Sequence, residues 1–377
     1  MRVATYNMEN LFTRPAAMNE EKHSAKDRKA FLKDHAALNA LIEQATYTAA
    51  TKKKLVTLLT RWNFHKKSGQ GKGILVFRKI RGRLFKVDKQ TKLPVIVATG
   101  RADWVGWFDL VRDDVNWTAV SNTARVVADV AADVLVAVEV EDRPTLQRFN
   151  DLVLAVEQPG QEYPYNTLID GNDQRGIDIG LFSRLPVLGT RTNVDVANKG
   201  WPVFSRDCPE YSVELPSGDL LVILGGHFKS KGYGNKKASD ARRLKQAQVT
   251  KKIYRRALEQ TPYVMVAGDL NDTPKSDAIK KGLLGGLKSA ERLRYVMSHP
   301  SYPEKKEKPG TRGSCNIEKS QKLDYLFLSP ALWPLVQAVG VERRGIYAPV
   351  AGNPYPTVKS KREQASDHAA VWVDLGL

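Results

Sequence analysis

Three observations predict an α/β fold for this chain. Short, β-branched apolar runs recur along it, segments with helical apolar spacing fall between them, and 42% hydrophobic residues are enough for a sizeable core. The two periods alternate, as they do where helices cover sheets.

The elements follow in order. Arg2-Val3-Ala4-Thr5-Tyr6 reads as the first strand and runs into Asn7, Met8, Glu9 and Asn10. Phe31 to Gln44 reads as a helix with Phe31, Leu38, Leu41 and Ile42 on one stripe, and Thr51 to Trp62 as a second, carrying Leu55, Val56, Leu58 and Leu59. Gly69-Gln70-Gly71-Lys72-Gly73 is a flexible loop, but no Ser or Thr follows the Gly-Lys, so it is not a phosphate-cradling P-loop. Ile74–Phe77 and Arg83–Val87 are expected to form a basic hairpin, with a further strand at Val95–Ala98. Trp104, Trp107 and Trp117 follow. Aromatics beside a basic hairpin suit base stacking; the competing reading has them packing the inserted segment onto the core.

From Ser121, the expected cap, a helix covers Asn122–Ala132. Ala132–Val138 is a strand leading into Glu139-Val140-Glu141-Asp142, and Pro144–Glu157 is a helix. Ile177–Phe182 is a strand that holds Asp178. Leu220–Leu224 runs through Gly225-Gly226 into His227-Phe228-Lys229-Ser230-Lys231. Ala238–Leu258 is a long basic helix bearing Arg242, Arg243 and Lys245. Val264–Ala267 empties into Gly268-Asp269-Leu270-Asn271-Asp272, Leu323–Leu328 carries Asp324 near its start, and Ser366-Asp367-His368 precedes the apolar Ala369–Val373. Pro300–Gln321 and Ala351–Ala365 are charged, proline-bearing surface loops.

Polar side chains thus gather at the ends of the apolar strands. Side chains alternate along a strand, so Asp269 and Asn271 face the same way. An acid next to a core strand must be solvated, paired or metal-bound. One such acid is ordinary; carboxylates, amides and histidines at six strand ends argue for a single shared site.

The net charge of +18 is concentrated. Residues 51–90 hold thirteen Lys or Arg and one acid, Asp88, which is +12 from forty residues. A lysine-rich run is usually a solvated face, but one sign gathered in one segment favours a polyanion-binding surface, with Arg78, Lys79, Arg81 and Arg83 at its centre. No apolar run reaches the roughly 20 residues of a membrane helix, and the N-terminus enters a strand without the layout of a signal peptide. Cys208 and Cys315 lack metal-ligand spacing and read as free thiols, which leads to the expectation of a cytoplasmic location.

Taken in order, Thr5-Tyr6-Asn7, Val138-Glu139-Val140, Gly176-Ile177-Asp178, His227-Phe228-Lys229-Ser230, Gly268-Asp269-Leu270-Asn271, Leu323-Asp324-Tyr325 and Ser366-Asp367-His368 resemble the motifs of the endonuclease/exonuclease/phosphatase superfamily, which has the fold of pancreatic deoxyribonuclease. Each motif alone is weak; the ordered set is specific. The resemblance covers residues 1–14 and 120–377 and leaves 15–119 as an insertion in a single domain. It implies two stacked mixed β-sheets flanked by helices, a four-layer sandwich.

The resemblance also implies roles. Glu139 matches the metal-binding glutamate, with Asn7 and Asp367 completing the shell around Mg²⁺ or Mn²⁺, and Glu9 and Glu141 as competing acids. Asp269 matches the aspartate that orients or deprotonates water, and Asn271 is placed to contact phosphate or support the metal. His368 matches the histidine that stabilises the phosphate, paired with Asp324. His227 matches the histidine that assists the leaving group, where members acting at abasic sites carry a tyrosine there or nearby; Asp178 is its candidate orienter. Lys229 and Arg243 are candidate phosphate contacts. His23, His35, His65 and His299 are expected to have ordinary surface roles.

The resulting expectation is a metal-dependent nuclease acting on DNA rather than RNA, with no membrane and no obligate protein partner. A phosphodiesterase or phosphatase for a small or lipid phosphate is the alternative within the same family, and a nucleic-acid-binding protein with a decayed site is the alternative of another class.

Overall fold

The computed structural model describes every residue except Phe12, 19–22, 67–69, Val115, 174–175, 232–234, 304–309, 312–320 and 348–352. The chain divides into two compact units: Met1–Phe12 with Val115–Leu377, and Thr13–Asp114.

The larger unit contains two six-stranded sheets. The first runs Tyr165–Leu168, Asp178–Ser183, Val134–Val140, Arg2–Leu11, Ala370–Leu375, Val336–Glu342. The second runs Val187–Arg191, Glu210–Glu214, Leu220–His227, Val264–Asp269, Asp324–Leu328, Arg294–Tyr295. Each sheet has one parallel pair at its centre: Arg2–Leu11 beside Val134–Val140, and Leu220–His227 beside Val264–Asp269. Their outer neighbours are antiparallel.

The apolar runs are continuous because both faces of the central strands are covered. Val134, Val136 and Val138 meet Leu221, Ile223, Met265 and Ala267 in the cluster between the sheets. Leu135 and Ala137 point the other way, onto Val120, Ala124 and Val127 of the helix Trp117–Val130. Val222, Leu224, Val264 and Val266 pack on Ala247, Ile253 and Tyr254 of the helix Lys236–Leu258. Helix, sheet, sheet and helix are therefore the four layers, as expected. Burying each Val or Ile contributes about 1.5–3 kcal/mol, so the alternation fixes the register.

Several boundaries differ from the expectation. The helix expected at Asn122 begins at Trp117, capped by the Asn116 side chain, and Ser121 lies inside it. Trp117 is 58% exposed and so sits off the apolar stripe that would have marked the start. The Pro144–Glu157 segment is an α-helical turn, a π-helical stretch at Phe149–Leu154 and a final α turn.

The smaller unit has its own core. Leu38, Ile42, Leu55, Leu58 and Leu59 of the helices Ala25–Ile42 and Ala49–Arg61 pack with Leu75, Trp104, Phe108 and Leu110. The expected basic hairpin does not form. Leu75–Arg81 pairs with Val105–Leu110, and Phe85–Val87 with Pro94–Ile96. Trp104 is fully buried in this unit's own core, whereas Trp107 is 42% exposed. His35 is buried rather than superficial, with Nε2 2.9 Å from the Phe108 carbonyl. The unit's ends are paired, Thr13–Pro15 against Arg112–Asp114. Lys67, Gly69 and Cys315 lie outside the described residues; the rest of the expected 69–73 loop is a tight turn, with Gln70 and Gly71 paired to Val76 and Leu75. Cys208 is a buried free thiol whose pKa burial pushes up. Among the described residues no helix is long and apolar enough to cross a membrane.

Candidate active site

The sheet topology explains why polar residues distant in sequence share one place. The C-terminal ends of parallel strands and the N-terminal ends of their antiparallel neighbours lie at the same edge. Asn7 and Glu139 end the first sheet's parallel pair, and His227 and Asp269, partners in register, end the second's. Asp178 and Asp324 begin the antiparallel neighbours, and His368 stands just before Ala370–Leu375.

Local backbone then aims the side chains. Val138 pairs with Ile179 and Val140 with Asp178, so Glu139 is the extra residue of a β-bulge, at φ 64°. The first strand shifts register at the same level, between Asn7 and Leu11, with Glu9 at φ 50°. Asn271 is at φ 50°. Left-handed non-glycine residues cost about 1–3 kcal/mol each and gather where function over-determines the backbone. Gly268, at φ 137°, approaches Gly226 so closely that a Cβ would lie 2.0 Å from its carbonyl oxygen. That contact draws together the strands that end in His227 and Asp269.

Asp269 is the centre. It is 2% exposed. Its carboxylate accepts from the Asn271 backbone N–H (2.8 Å), the Asn271 side-chain amide (3.1 Å) and the Asn7 side-chain amide (3.2 Å). His227 Nε2 stands 3.9 Å from Asp269 Oδ2 and 3.6 Å from Glu139 Oε1. His368 Nε2 is 3.9 Å from Asp269 Oδ2 and 3.7 Å from Asp367 Oδ1.

Beneath His368 lies Asp324, 1% exposed, with Oδ2 2.8 Å from Nδ1. Burial alone would lower the imidazole pKa, but Asp324, Asp367 and Asp269 outweigh it and raise it to about 10. The ring is therefore a cation at neutral pH, donating to Asp324 through Nδ1 and presenting Nε2–H to the site. Asp269, Asp324 and His368 lie within 4.8 Å of one another, close enough to share an ion, although Asp324 already takes the Nδ1 side of His368 at 2.8 Å. The carboxylate oxygens of Glu139 and Asp367 and the Asn7 amide oxygen are further donors of the type a hard cation takes. Such a hard set fits Mg²⁺ or Mn²⁺ and not a thiolate-bound ion.

Asp178 is buried, and its Oδ1 accepts from the Gly171 N–H at 2.9 Å. Burial raises its pKa to about 7 against that hydrogen bond, with Asp170 and Asp173 adding to the rise. Asn7 gives its amide N–H to Asp269 and takes the Glu9 N–H on its oxygen at 3.0 Å. Lys229 is half-buried, its ammonium on the Ser230 carbonyl.

Arg243 is engaged by protein groups. It is 1% exposed, with Nε 2.9 Å from Asp272, and it also bonds Asp240 and the Lys229 carbonyl. Its guanidinium ties the helix Lys236–Leu258 to the loop after His227 and to Asp272. Asp272 is also paired with Lys231 at 2.8 Å; burial would raise its pKa, but the two cations hold it below the ordinary value. Arg78, Lys79, Arg81 and Arg83 are exposed on the smaller unit.

Supporting residues escaped the sequence reading. Thr311 Oγ1 accepts the backbone N–H of Leu323 and of Asp324 at 3.0 and 3.1 Å, and its carbonyl accepts the Ala369 N–H. Glu9, read as a competing metal ligand, accepts the Asp367 N–H at 3.0 Å and the Gln364 amide at 3.1 Å, tying the His368 segment to the first strand. Nothing in the sequence around Thr311 signals this, whereas the i,i+3 spacing of Asp240 and Arg243 is one from which an ion pair can be read.

None of the curated proteins matches the sequence significantly. Solved structures resemble the fold at low identity. An endonuclease/exonuclease/phosphatase from Bacteroides vulgatus is 17% identical over 70% of this chain and 92% of its own, with a TM-score of 0.47. Truncated TDP2 from Caenorhabditis elegans is 17% identical over 68% and 89%, with a TM-score of 0.47. A mannosyl-6-phosphatase from Bacteroides thetaiotaomicron is 16% identical over 69% and 91%, with a TM-score of 0.48. The model of the endonuclease/exonuclease/phosphatase family matches residues 113–333, more than half of the 377, and the structure adds Asn7 and His368 from outside that span to the same site. The chain belongs to the endonuclease/exonuclease/phosphatase family, hydrolases of phosphoester bonds.

Proposed function

We propose that the protein is a Mg²⁺- or Mn²⁺-dependent nuclease that hydrolyses DNA by attack of water on a phosphodiester. The observation that carries the reading is the meeting of Glu139, His227, Asp269 and His368, drawn from both sheets, around Asp269. A metal held by Glu139 with Asn7 and Asp367 would supply charge neutralisation at the phosphate.

The chain's own groups do the rest. Asp269 is held by three amide hydrogen bonds, which keep one carboxylate oxygen aimed to take a proton from the attacking water. The His368 imidazolium, backed by Asp324, offers a fixed positive charge and an N–H donor to a non-bridging phosphate oxygen. His227 Nε2 faces the same space and donates a proton to the departing oxygen. Asn271 holds Asp269, and its amide also donates to the Phe228 carbonyl at 3.2 Å, locking the two strand ends together. The choice of a polymer rests on the exposed basic residues of the smaller unit, because a small phosphate needs only a local pocket.

The test is a cleavage assay on plasmid, linear and single-stranded DNA, on RNA and on a small chromogenic diester, with and without EDTA. The reading expects loss of cleavage in EDTA, return with Mg²⁺ or Mn²⁺, and preference for DNA. Full hydrolysis in EDTA would overturn the metal requirement; cleavage of the small diester alone would overturn the polymer substrate.

A further inference from the structure

The ribbon formed by Leu75–Arg81 and Val105–Leu110 has two unlike faces. Its inner face is filled: Leu75, Phe77, Phe108 and Leu110 lie on the unit's core, with Phe77 stacked on Phe108 at 4.9 Å and tilted against buried Trp104 at 5.6 Å. The register places Arg78 directly opposite Trp107 on the other face. Cross-strand partners have Cβ atoms about 4.5–5.5 Å apart, so an indole and a guanidinium stand side by side there. Trp107 is 42% exposed and the Arg78 side chain 57%. The register shift between Lys79 and Arg81 makes Ile80 the extra residue, 67% exposed at the end of the same strand.

The core of the unit does not require Trp107, because Trp104 and the Phe77–Phe108 stack already fill it. An exposed indole beside a cation, on a sheet packed from beneath, has the parts of a stacking site: a flat apolar face and a neighbouring positive charge. The surroundings favour an anionic ligand: residues 70–89 contain seven Lys or Arg and a single acid, and the paired strand Val105–Leu110 adds one more acid, Asp109. Among the described residues Arg78 has a loose ion partner, Asp109, at 3.8 Å.

The geometry points to this face as a stacking platform for unpaired bases, with Trp107 against a base and Arg78 and Arg81 against the flanking phosphates. The ligand class is single-stranded polynucleotide. A duplex hides its base faces within its own stack and offers an indole nothing flat to lie on, whereas every unpaired base has an open π-face. This inference rests on the polynucleotide reading above and narrows it: the substrate carries a single-stranded stretch.

The test measures binding by the full chain in EDTA, so that nothing is cut. The probes are a fluorescein-labelled oligo(dT) of about 15 nucleotides and a duplex of the same length. Trp107→Ala is expected to raise Kd for oligo(dT) about tenfold, the scale of one lost base stack, and Trp107→Phe to restore most of it. Duplex affinity should change less than about twofold. The salt slope for oligo(dT) should stay at its parent value, because no charge has been removed. Equal oligo(dT) affinity in parent and Trp107→Ala would overturn the platform, as would equal losses on single strand and duplex. Loss of binding to anionic lipid vesicles in place of oligo(dT) would overturn it in favour of a membrane surface. If the parent bound neither nucleic-acid probe, the polynucleotide reading itself would fall, a result distinct from failure of the stack.

Discussion

An alanine at Gly268 would put its Cβ 2.0 Å from the Gly226 carbonyl oxygen, on a backbone whose φ is 137°. Two costs add. A side chain in that region of φ costs about 1–3 kcal/mol. The overlap is with main chain, which cannot rotate aside, and forcing strands apart in a packed core costs about 1–3 kcal/mol more. The sum, about 2–6 kcal/mol, is a large share of the roughly 5–15 kcal/mol that holds a domain folded. Two other glycines separate the contributions. Gly218 has φ 83° with nothing within 4 Å of where a methyl would stand, so alanine there tests backbone strain alone. Gly189 has open space and no positive φ, so alanine there should fall within about 0.5 kcal/mol of the parent. Urea unfolding in EDTA, followed by far-ultraviolet circular dichroism, should rank the midpoints Gly189→Ala above Gly218→Ala above Gly268→Ala. Turnover should fall only in the last, because Asp269 is the next residue. A Gly268→Ala midpoint equal to that of Gly218→Ala would refute the claim that close approach of the two strands is structurally required.

Further outcomes can be checked on the same protein. His227→Ala, His368→Ala and Asp269→Asn should each lower turnover by roughly 10²-fold or more while the fold is kept; near-parent rates for His227→Ala on every substrate would remove its leaving-group role. Glu139→Gln should demand much higher Mg²⁺ or Mn²⁺ for half-maximal activity, and an unchanged metal titration would count against it as a ligand. Asp178, at about 7 instead of 3.8, is favoured neutral by folding, so its ionisation costs nothing below about pH 4 and up to about 4 kcal/mol above pH 7. Asp178→Asn should therefore gain stability relative to the parent between about pH 4 and pH 8; a pH-independent difference in urea midpoints would contradict this. Replacing Arg78, Lys79, Arg81 and Arg83 with Ser should flatten the dependence of log K on log salt by about 0.9 per lost duplex phosphate contact, and a parallel salt plot would show that these residues touch no phosphate.

The sequence and the structure agree best where burial decides the outcome. Val264–Ala267 and Ala132–Val138 are legible because both faces are covered, so every residue is apolar. Their polar ends are legible as a set, since six such ends are hard to explain without a shared site. The bulge at Glu139 is not legible: the extra residue is defined by Asp178 and Ile179 on the neighbouring strand, and no local propensity encodes a register. The supposed basic hairpin fails for the same reason. Leu75–Arg81 finds its partner at Val105–Leu110, and local spacing favours the nearer segment. Arg243 reads in the sequence as a phosphate contact on a basic helix; the arrival of Asp272, with Asp240 and the Lys229 carbonyl, makes burial of its guanidinium tolerable.

The smaller unit leaves and re-enters the chain through neighbouring residues, Thr13 opposite Asp114 and Pro15 opposite Arg112. A segment whose ends already meet as a two-stranded stem makes no demand on the length of what it carries. Loop-closure cost grows only slowly with loop length, and here the stem closes the loop before the cargo begins. Residues 16–111 are in that sense interchangeable cargo: a tight turn, or a different cargo, could join the same stem. Such a joint allows the inserted unit to be exchanged without altering the strands of the larger unit that carry Asn7, Glu139, His227 and Asp269.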